Sequence, residues 1–226
     1  DTLAHVVNTM QSTLPEDPWH AYFTNPAWLQ ALIAQGALGQ KTRCGIFRKQ
    51  GKEIQVLDLG KQDYRASAGE IAEEVGAILK MKHPAEKFAA LRASAHPQAR
   101  FLWAIFRDIF HYAAVQLENV ADNARDLDLA MRWGFGHEAG PFEMWDMLGV
   151  AETAAKMEAE GFAVAPWVKE MLATGHDCFY RANGGLSDYD PATKSYQPLV
   201  TDRNIVRIAD LRAAGKVVER NDGASL

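Results

Sequence analysis

Asp126-Leu127-Asp128-Leu129-Ala130-Met131-Arg132-Trp133-Gly134-Phe135-Gly136, followed by Gly140-Pro141-Phe142-Glu143-Met144-Trp145-Asp146-Met147-Leu148-Gly149, is the stretch that decides the fold. Its first half has a helical pattern. Gly134 reads as the residue just past a helix end, where a left-handed backbone is needed. Gly136 and Gly140 permit a tight connection. Pro141 then starts the next helix, because its missing N–H is not needed there. Phe142 and Trp145 are the side chains that pack this second helix.

The same logic extends outward. Asn25-Pro26 reads as a cap followed by proline at the first helical position, with Gly36 at the far end. Ser67-Ala68-Gly69-Glu70 has capping-box spacing and predicts a helix running to about Lys80. Pro84 and Pro97 each favour a helix start. From Arg100 to Ala121 the chain is apolar nearly all round, which predicts a helix buried on most sides. Its polar residues, Arg100, Arg107, His111, Glu118 and then Asp122, fall in one narrow stripe. Such a stripe is either a line of solvent contact or a polar row facing a ligand or another domain.

Two segments are not helical. Gly45 to Leu57 reads as two short extended runs around a turn, and Cys178 to Gly185, with Tyr189 and Tyr196 beyond, looks similar. Each follows a matching helix. Trp28-Leu29-Gln30-Ala31-Leu32-Ile33-Ala34-Gln35-Gly36 answers to Trp167-Val168-Lys169-Glu170-Met171-Leu172-Ala173-Thr174-Gly175. Ile46-Phe47-Arg48 answers to Phe179-Tyr180-Arg181, and Asp1-Thr2-Leu3-Ala4 to Glu152-Thr153-Ala154-Ala155. The order of the matches predicts an internal duplication whose first copy lacks its beginning. The expected class is mainly α with short β-hairpins.

Bulk properties narrow the function classes. The 226 residues suffice for one large domain or two small ones, and at 48% apolar and 23% charged the composition is that of a globular chain. Lys and Arg total 24 against 29 Asp and Glu, a net charge of −5 with no basic block, which argues against nucleic acid as the main partner. No apolar run approaches the roughly 20 residues that span a bilayer. Two distant cysteines, Cys44 and Cys178, make no disulfide framework, so a cytoplasmic location is expected. Asp1 stands where a methionine would, which suggests a processed or truncated chain.

Candidate chemistry is sparse. Gly134-Phe135-Gly136-His137-Glu138-Ala139 fits the loose dinucleotide fingerprint, but that site needs a strand before it and a helix N-terminus after it. Here a helical pattern precedes it. His137-Glu138 lacks the second histidine of a zinc helix, and His5, His20, His83, His96, His111 and His176 show no ligand spacing. Asp188, Asp190 and Asp202 are spaced too loosely for an oxygen-rich metal loop. Neither cysteine sits in a nucleophile motif.

The stretch quoted first resembles the C-terminal helical domain of 3-hydroxyacyl-CoA dehydrogenases. An acidic helix start, a glycine-aromatic-glycine break, Gly-Pro-Phe, then aspartate and glycine carry the resemblance, in Asp128, Gly136, Gly140, Pro141, Phe142, Asp146 and Gly149. Leu38 to Phe47 resembles the family's closing segment, with Cys44 and Ile46 as departures. The tail from Val217 to Leu226 resembles the entry to a following enoyl-CoA hydratase domain, as in the fused class of these enzymes.

The resemblance implies a duplicated helical domain of the 6-phosphogluconate dehydrogenase C-terminal-like type. Its expected organisation is the end of a first helical copy (1–60), a helical connector (61–97), a second copy (98–200), and a helix and linker toward a hydratase domain (201–226). It implies an upstream NAD domain holding the catalytic groups, so NAD and acyl-CoA are expected for the parent enzyme of fatty-acid β-oxidation and no cofactor for this chain. A substrate-contacting asparagine of the family has no counterpart at Ala99-Arg100, so no catalytic, cofactor or metal residue is assigned. Exposed domain-facing surfaces imply a homo-oligomer. The alternatives are a stand-alone helical interaction module and the helical domain of another hydroxyacid dehydrogenase; the Gly-Pro-Phe motif weighs against the latter.

Overall fold

Glycine and proline punctuation sets most element boundaries in the computed structural model, which describes residues 1–67, 69–182, 185–199 and 208–219. Asp202, and residues 220–226 of the tail expected to lead into a hydratase domain, lie outside the described residues. The chain forms two compact units, residues 1–70 and 71–226.

The first unit contains α1 (Thr2–Thr13), α2 (Ala27–Ala34) and an antiparallel sheet of β1 (Phe47–Gln50), β2 (Glu53–Asp58) and β3 (Asp63–Ala66), in the order β1-β2-β3. Asn25 ties α2 to α1, donating from Nδ2 to the Ala4 carbonyl at 3.2 Å and to Asn8 Oδ1 at 2.6 Å. Pro26 is itself the N-cap, so Ala27 rather than the proline is the first helical residue. That one-residue shift is within the usual fraying of helix ends.

The second unit contains α3 (Glu73–Leu79), α4 (Pro84–Ala93), α5 (Pro97–Val120), α6 (Ala124–Phe135), α7 (Pro141–Leu148), α8 (Val150–Ala159) and α9 (Pro166–Ala173). A second antiparallel sheet, β4 (Tyr180–Ala182), β5 (Leu186–Asp190) and β6 (Ser195–Pro198), follows, then α10 (Ile208–Ala213). Pro84, Pro97, Pro141 and Pro166 all stand in the first turn of their helices. The core is aromatic: Phe142 and Trp145 of α7 and Trp167 of α9 surround Phe179, with ring centroids 4.9, 5.2 and 5.6 Å away. The buried indole N–H groups find acceptors, Trp167 at the Ala114 carbonyl (2.8 Å) and Trp145 at the Val150 carbonyl (3.2 Å), as burial of a polar group demands.

The two sheets share a set of matching bonds. Leu57 N–H donates to the Ile46 carbonyl at 2.8 Å, and Tyr189 N–H to the Phe179 carbonyl at 2.8 Å. Asp58 Oδ1 caps the β2–β3 turn through the Gly60 amide, and Asp190 Oδ1 caps the β5–β6 turn through the Ala192 amide. Gln62 and Lys194 carry the same left-handed backbone, φ 53° and 55°. Tyr64 OH donates to the Gly45 carbonyl and Tyr196 OH to that of Cys178, while Arg48 and Arg181 lie over those rings at 4.0 and 4.1 Å.

Four expectations are corrected. Each extended segment is a three-stranded sheet rather than a pair of runs, since β3 and β6 add a strand. The helix expected from Ser67 begins only at Glu73, because Ser67 N–H is used by the ladder, donating to the Ile54 carbonyl at 2.9 Å. The α6 helix passes through Gly134 and closes at Gly136, the residue with left-handed φ (70°). Finally, α5 is not buried nearly all round, since Phe101, Ile105 and Val120 are exposed. Conversely, its polar stripe is not purely a solvent line: His111 is buried, and Arg107 is held between Glu160 (3.0 Å) and the face of Phe162 (3.9 Å).

Candidate functional site

The motif residues converge where α6, α7 and β4 meet. Asp128 is almost fully buried on α6. Its Oδ1 accepts from the Phe142 amide at 2.9 Å, and its Oδ2 from the Glu143 amide at 2.9 Å and the Tyr180 hydroxyl at 2.7 Å. Those two amides belong to the first turn of α7, where N–H groups have no partner inside their own helix. A local cap would come from the N-cap side chain, but the N-cap is Gly140 and has none. Asp128 therefore caps α7 from a different helix.

Gly140 makes this possible by its smallness. A Cβ there would lie 2.3 Å from the Asp128 Cβ and 2.4 Å from its Cα. The reciprocal half of a capping box survives: Gly140 N–H donates to Glu143 Oε2 at 2.8 Å. Arg132 holds the other Glu143 oxygen at 3.0 Å.

Asp146, in the last turn of α7, accepts from the Phe179 amide at 2.7 Å and the Tyr180 amide at 2.8 Å. It ties the helix to the entry of β4. Pro141 opens α7, Phe142 fills the aromatic core, and Gly149 (φ 82°) makes the corner into α8. Six of the motif residues thus serve one construction, a helix held at its start by Asp128 and near its end to a strand by Asp146, while Gly136 closes α6.

The electrostatics follow from that burial. Desolvation pushes both Asp128 and Asp146 up to about 7, against the downward pull of the hydrogen bonds each accepts. The Tyr180 phenol is raised, first by burial and then by the charge of Asp128. Asp188, also pushed up by burial, to about 6, keeps one oxygen without a hydrogen-bond partner among the described residues. The carboxylates of Asp128 and Asp146 are committed to backbone amides, so the arrangement braces helices and presents no nucleophile with an adjacent base. Among the described residues no cluster of three or more His, Cys, Asp or Glu is placed to hold a metal ion, and no helix is long and apolar enough to cross a membrane.

Over the brace lies a cavity of about 580 Å³, whose lining includes Arg125, Leu129, Trp133, Met147, Leu186 and Ile208. Trp133, Met147 and Ile208 are largely exposed, and Phe135 is exposed close by in sequence. Sequence reasoning missed Tyr180 and Arg132 as members of this site. The one local signal was the spacing of Glu143 three residues after Gly140. Tyr180 reaches Asp128 from 52 residues away and leaves no pattern.

No protein-family model matches the chain. Over its whole length it is similar to a "Probable 3-hydroxyacyl-CoA dehydrogenase" of Bacillus subtilis (strain 168), with 33% identity over 227 residues that make up 28% of that protein. A "Putative fatty acid oxidation complex trifunctional enzyme" of Rickettsia felis is 24% identical over 149 residues, 64% of this chain and 19% of that protein. Its counterpart in Rickettsia prowazekii is 23% identical over 149 residues. The chain therefore spans about a quarter of the length of the curated relatives it matches, 28% and 19% in the cases given. The likeness is not confined to the helix–glycine–helix motif, since the whole chain is similar to a protein named as a probable 3-hydroxyacyl-CoA dehydrogenase.

Proposed function

From a resemblance that runs the whole length of the chain, we propose that it serves as the helical part of an NAD-dependent 3-hydroxyacyl-CoA dehydrogenase of fatty-acid β-oxidation. In that role it closes over the acyl-CoA and supplies domain or subunit contacts. The observation that carries this reading is the 33% identity across 100% of the chain to a protein bearing that name. The apolar surface over the Asp128–Asp146 brace supports it, since exposed Trp133 and Met147 offer contact area there and no reactive groups.

The segment Gly134 to Ala139 does not have the setting of a dinucleotide loop. The glycines at 134 and 136 lie in and at the end of α6 rather than between a strand and a helix. The α7 N-terminus, where a pyrophosphate would sit, already commits its Phe142 and Glu143 amides to Asp128. The hydride chemistry is accordingly assigned to another part of the enzyme, and this chain supplies shape and contacts.

The test is an assay of the purified chain with a 3-hydroxyacyl-CoA and NAD. No NADH should form, and no NAD binding should appear in calorimetry. NAD-linked oxidation by the chain alone would overturn the assignment.

A further inference from the structure

A third buried aspartate joins the two of the brace into a closed circuit. Asp188 of β5 is 2% exposed and accepts from the backbone amide of Arg125, in the first turn of α6, and from its own amide. Asp128 then links α6 to α7, and Asp146 links α7 to β4. The ladder returns β4 to β5, with Tyr180 opposite Asp188. The links therefore run from β5 through α6, α7 and β4 back to β5.

They are not equal. Asp128 accepts three hydrogen bonds through both oxygens, and Asp146 accepts one at each. Asp188 Oδ2 is buried and has no partner among the described residues. The charges that act on Asp188 most are two more carboxylates, Asp190 on its own strand and Asp126 on α6. The Tyr180 phenol faces it from β4, and uncharged Gln197 pairs with it from β6. A carboxylate with one buried, unmatched oxygen beside two like charges is disfavoured, whereas the neutral acid carries only a hydroxyl out of water. Burial is accordingly the leading cause that raises Asp188 to about 6.

We infer that Asp188 is a proton-operated latch: protonated, it holds β5 against α6, and ionised, it is drawn to water and lets the two part. Arg125 and Leu129 of α6 and Leu186 of β5 all line the cavity over the brace, so parting these elements opens it. The other three links stay made, so the circuit opens at one point without coming apart. The sign follows from burial. Asp188 stands above the 3.8 of a free aspartate, so its hold is full below about pH 4 and is lost as pH rises toward 6.

The latch does not depend on the dehydrogenase assignment and is read without turnover. Amide hydrogen exchange of the whole chain is followed at Arg125 at pH 5 and pH 7, with the intrinsic pH dependence divided out. Protection should fall about tenfold between them, the factor by which ionising a carboxyl raised from 3.8 to about 6 favours the parted state. Asp188→Asn keeps an acceptor for the Arg125 amide and sets an NH2 where the proton would be, so it imitates the shut latch. Its protection at Arg125 should equal the parent's at pH 5 and stay there at pH 7. Equal protection of the parent at the two pH values, a tenfold fall retained in the Asn protein, or an Asn protein that is unfolded or less protected than the parent at pH 7 would each overturn it.

Discussion

Gly140 packs so tightly on Asp128 that one added methyl would overlap both the Cα and the Cβ of the aspartate, at 2.4 and 2.3 Å. The obstacle is backbone and the root of a buried side chain, so no rotamer change relieves it. Gly140→Ala must push α7 off its cap, leaving the Phe142 and Glu143 amides without their acceptor. Overpacking alone costs about 1–3 kcal/mol, and unsatisfied buried donors add to it. We expect a loss of about 3 kcal/mol in urea unfolding. A variant as stable as the parent would show that the cap is not rigid.

Asp146 makes the complementary prediction at the other end of α7. Asp146→Ala leaves the Phe179 and Tyr180 amides facing a void, at about 1–3 kcal/mol for each buried unsatisfied donor. Asp146→Asn keeps one acceptor oxygen but turns an NH2 toward the second amide, so it should recover part of the loss at most. Hydrogen exchange at Phe179 should accelerate in both variants, more in the alanine one.

What could be read from the chain beforehand follows the range of the interactions. The helix–break–helix was legible because glycine conformation and proline start signals act within a few residues. Asp128 could be marked as a motif residue but not as the cap of another helix, because its three donors lie 14, 15 and 52 residues away. The strands β3 and β6 escaped because a sequence such as Asp63-Tyr64-Arg65-Ala66 has too little apolar alternation to announce a strand; the β2 ladder recruits it. Ser67 shows the same competition, as its capping-box spacing lost to a ladder bond with Ile54.

The raised carboxyls predict a pH dependence. Asp128 and Asp146 stand at about 7 in the folded protein against 3.8 for a free aspartate, with burial the leading cause. Between those values the folded state holds protons that the unfolded chain has released. Stability from these groups is therefore full below about pH 4 and falls as pH rises toward 7, by roughly 1.4 kcal/mol per carboxyl for each pH step of one across that window. His111, whose pKa is lowered by burial, acts in the opposite sense, because the unfolded chain takes up its proton first as pH drops below 6.5. Urea melts of the parent and of Asp146→Asn share that histidine, so the difference between their slopes isolates the carboxyl. The variant should be the flatter across pH 4–7, and parallel slopes would exclude the effect.

Phe135 and Phe142 put an exposed and a buried side chain of one motif to a direct comparison. Seven residues apart in one motif, they are 74% and 0% exposed. Phe142 touches Phe179 at 4.9 Å and Trp167 at 6.0 Å between centroids, so truncation opens a cavity in the aromatic core. Phe142→Ala should cost about 3–5 kcal/mol. Phe135→Ser removes only solvent-facing surface and should stay within about 0.5 kcal/mol of the parent. That surface matters for what it contacts rather than for what it stabilises, and the two effects separate cleanly. If Phe135→Ser lowered the melting temperature as far as Phe142→Ala does, the exposed face would have to be part of the folding core, and its assignment as a contact surface would fail.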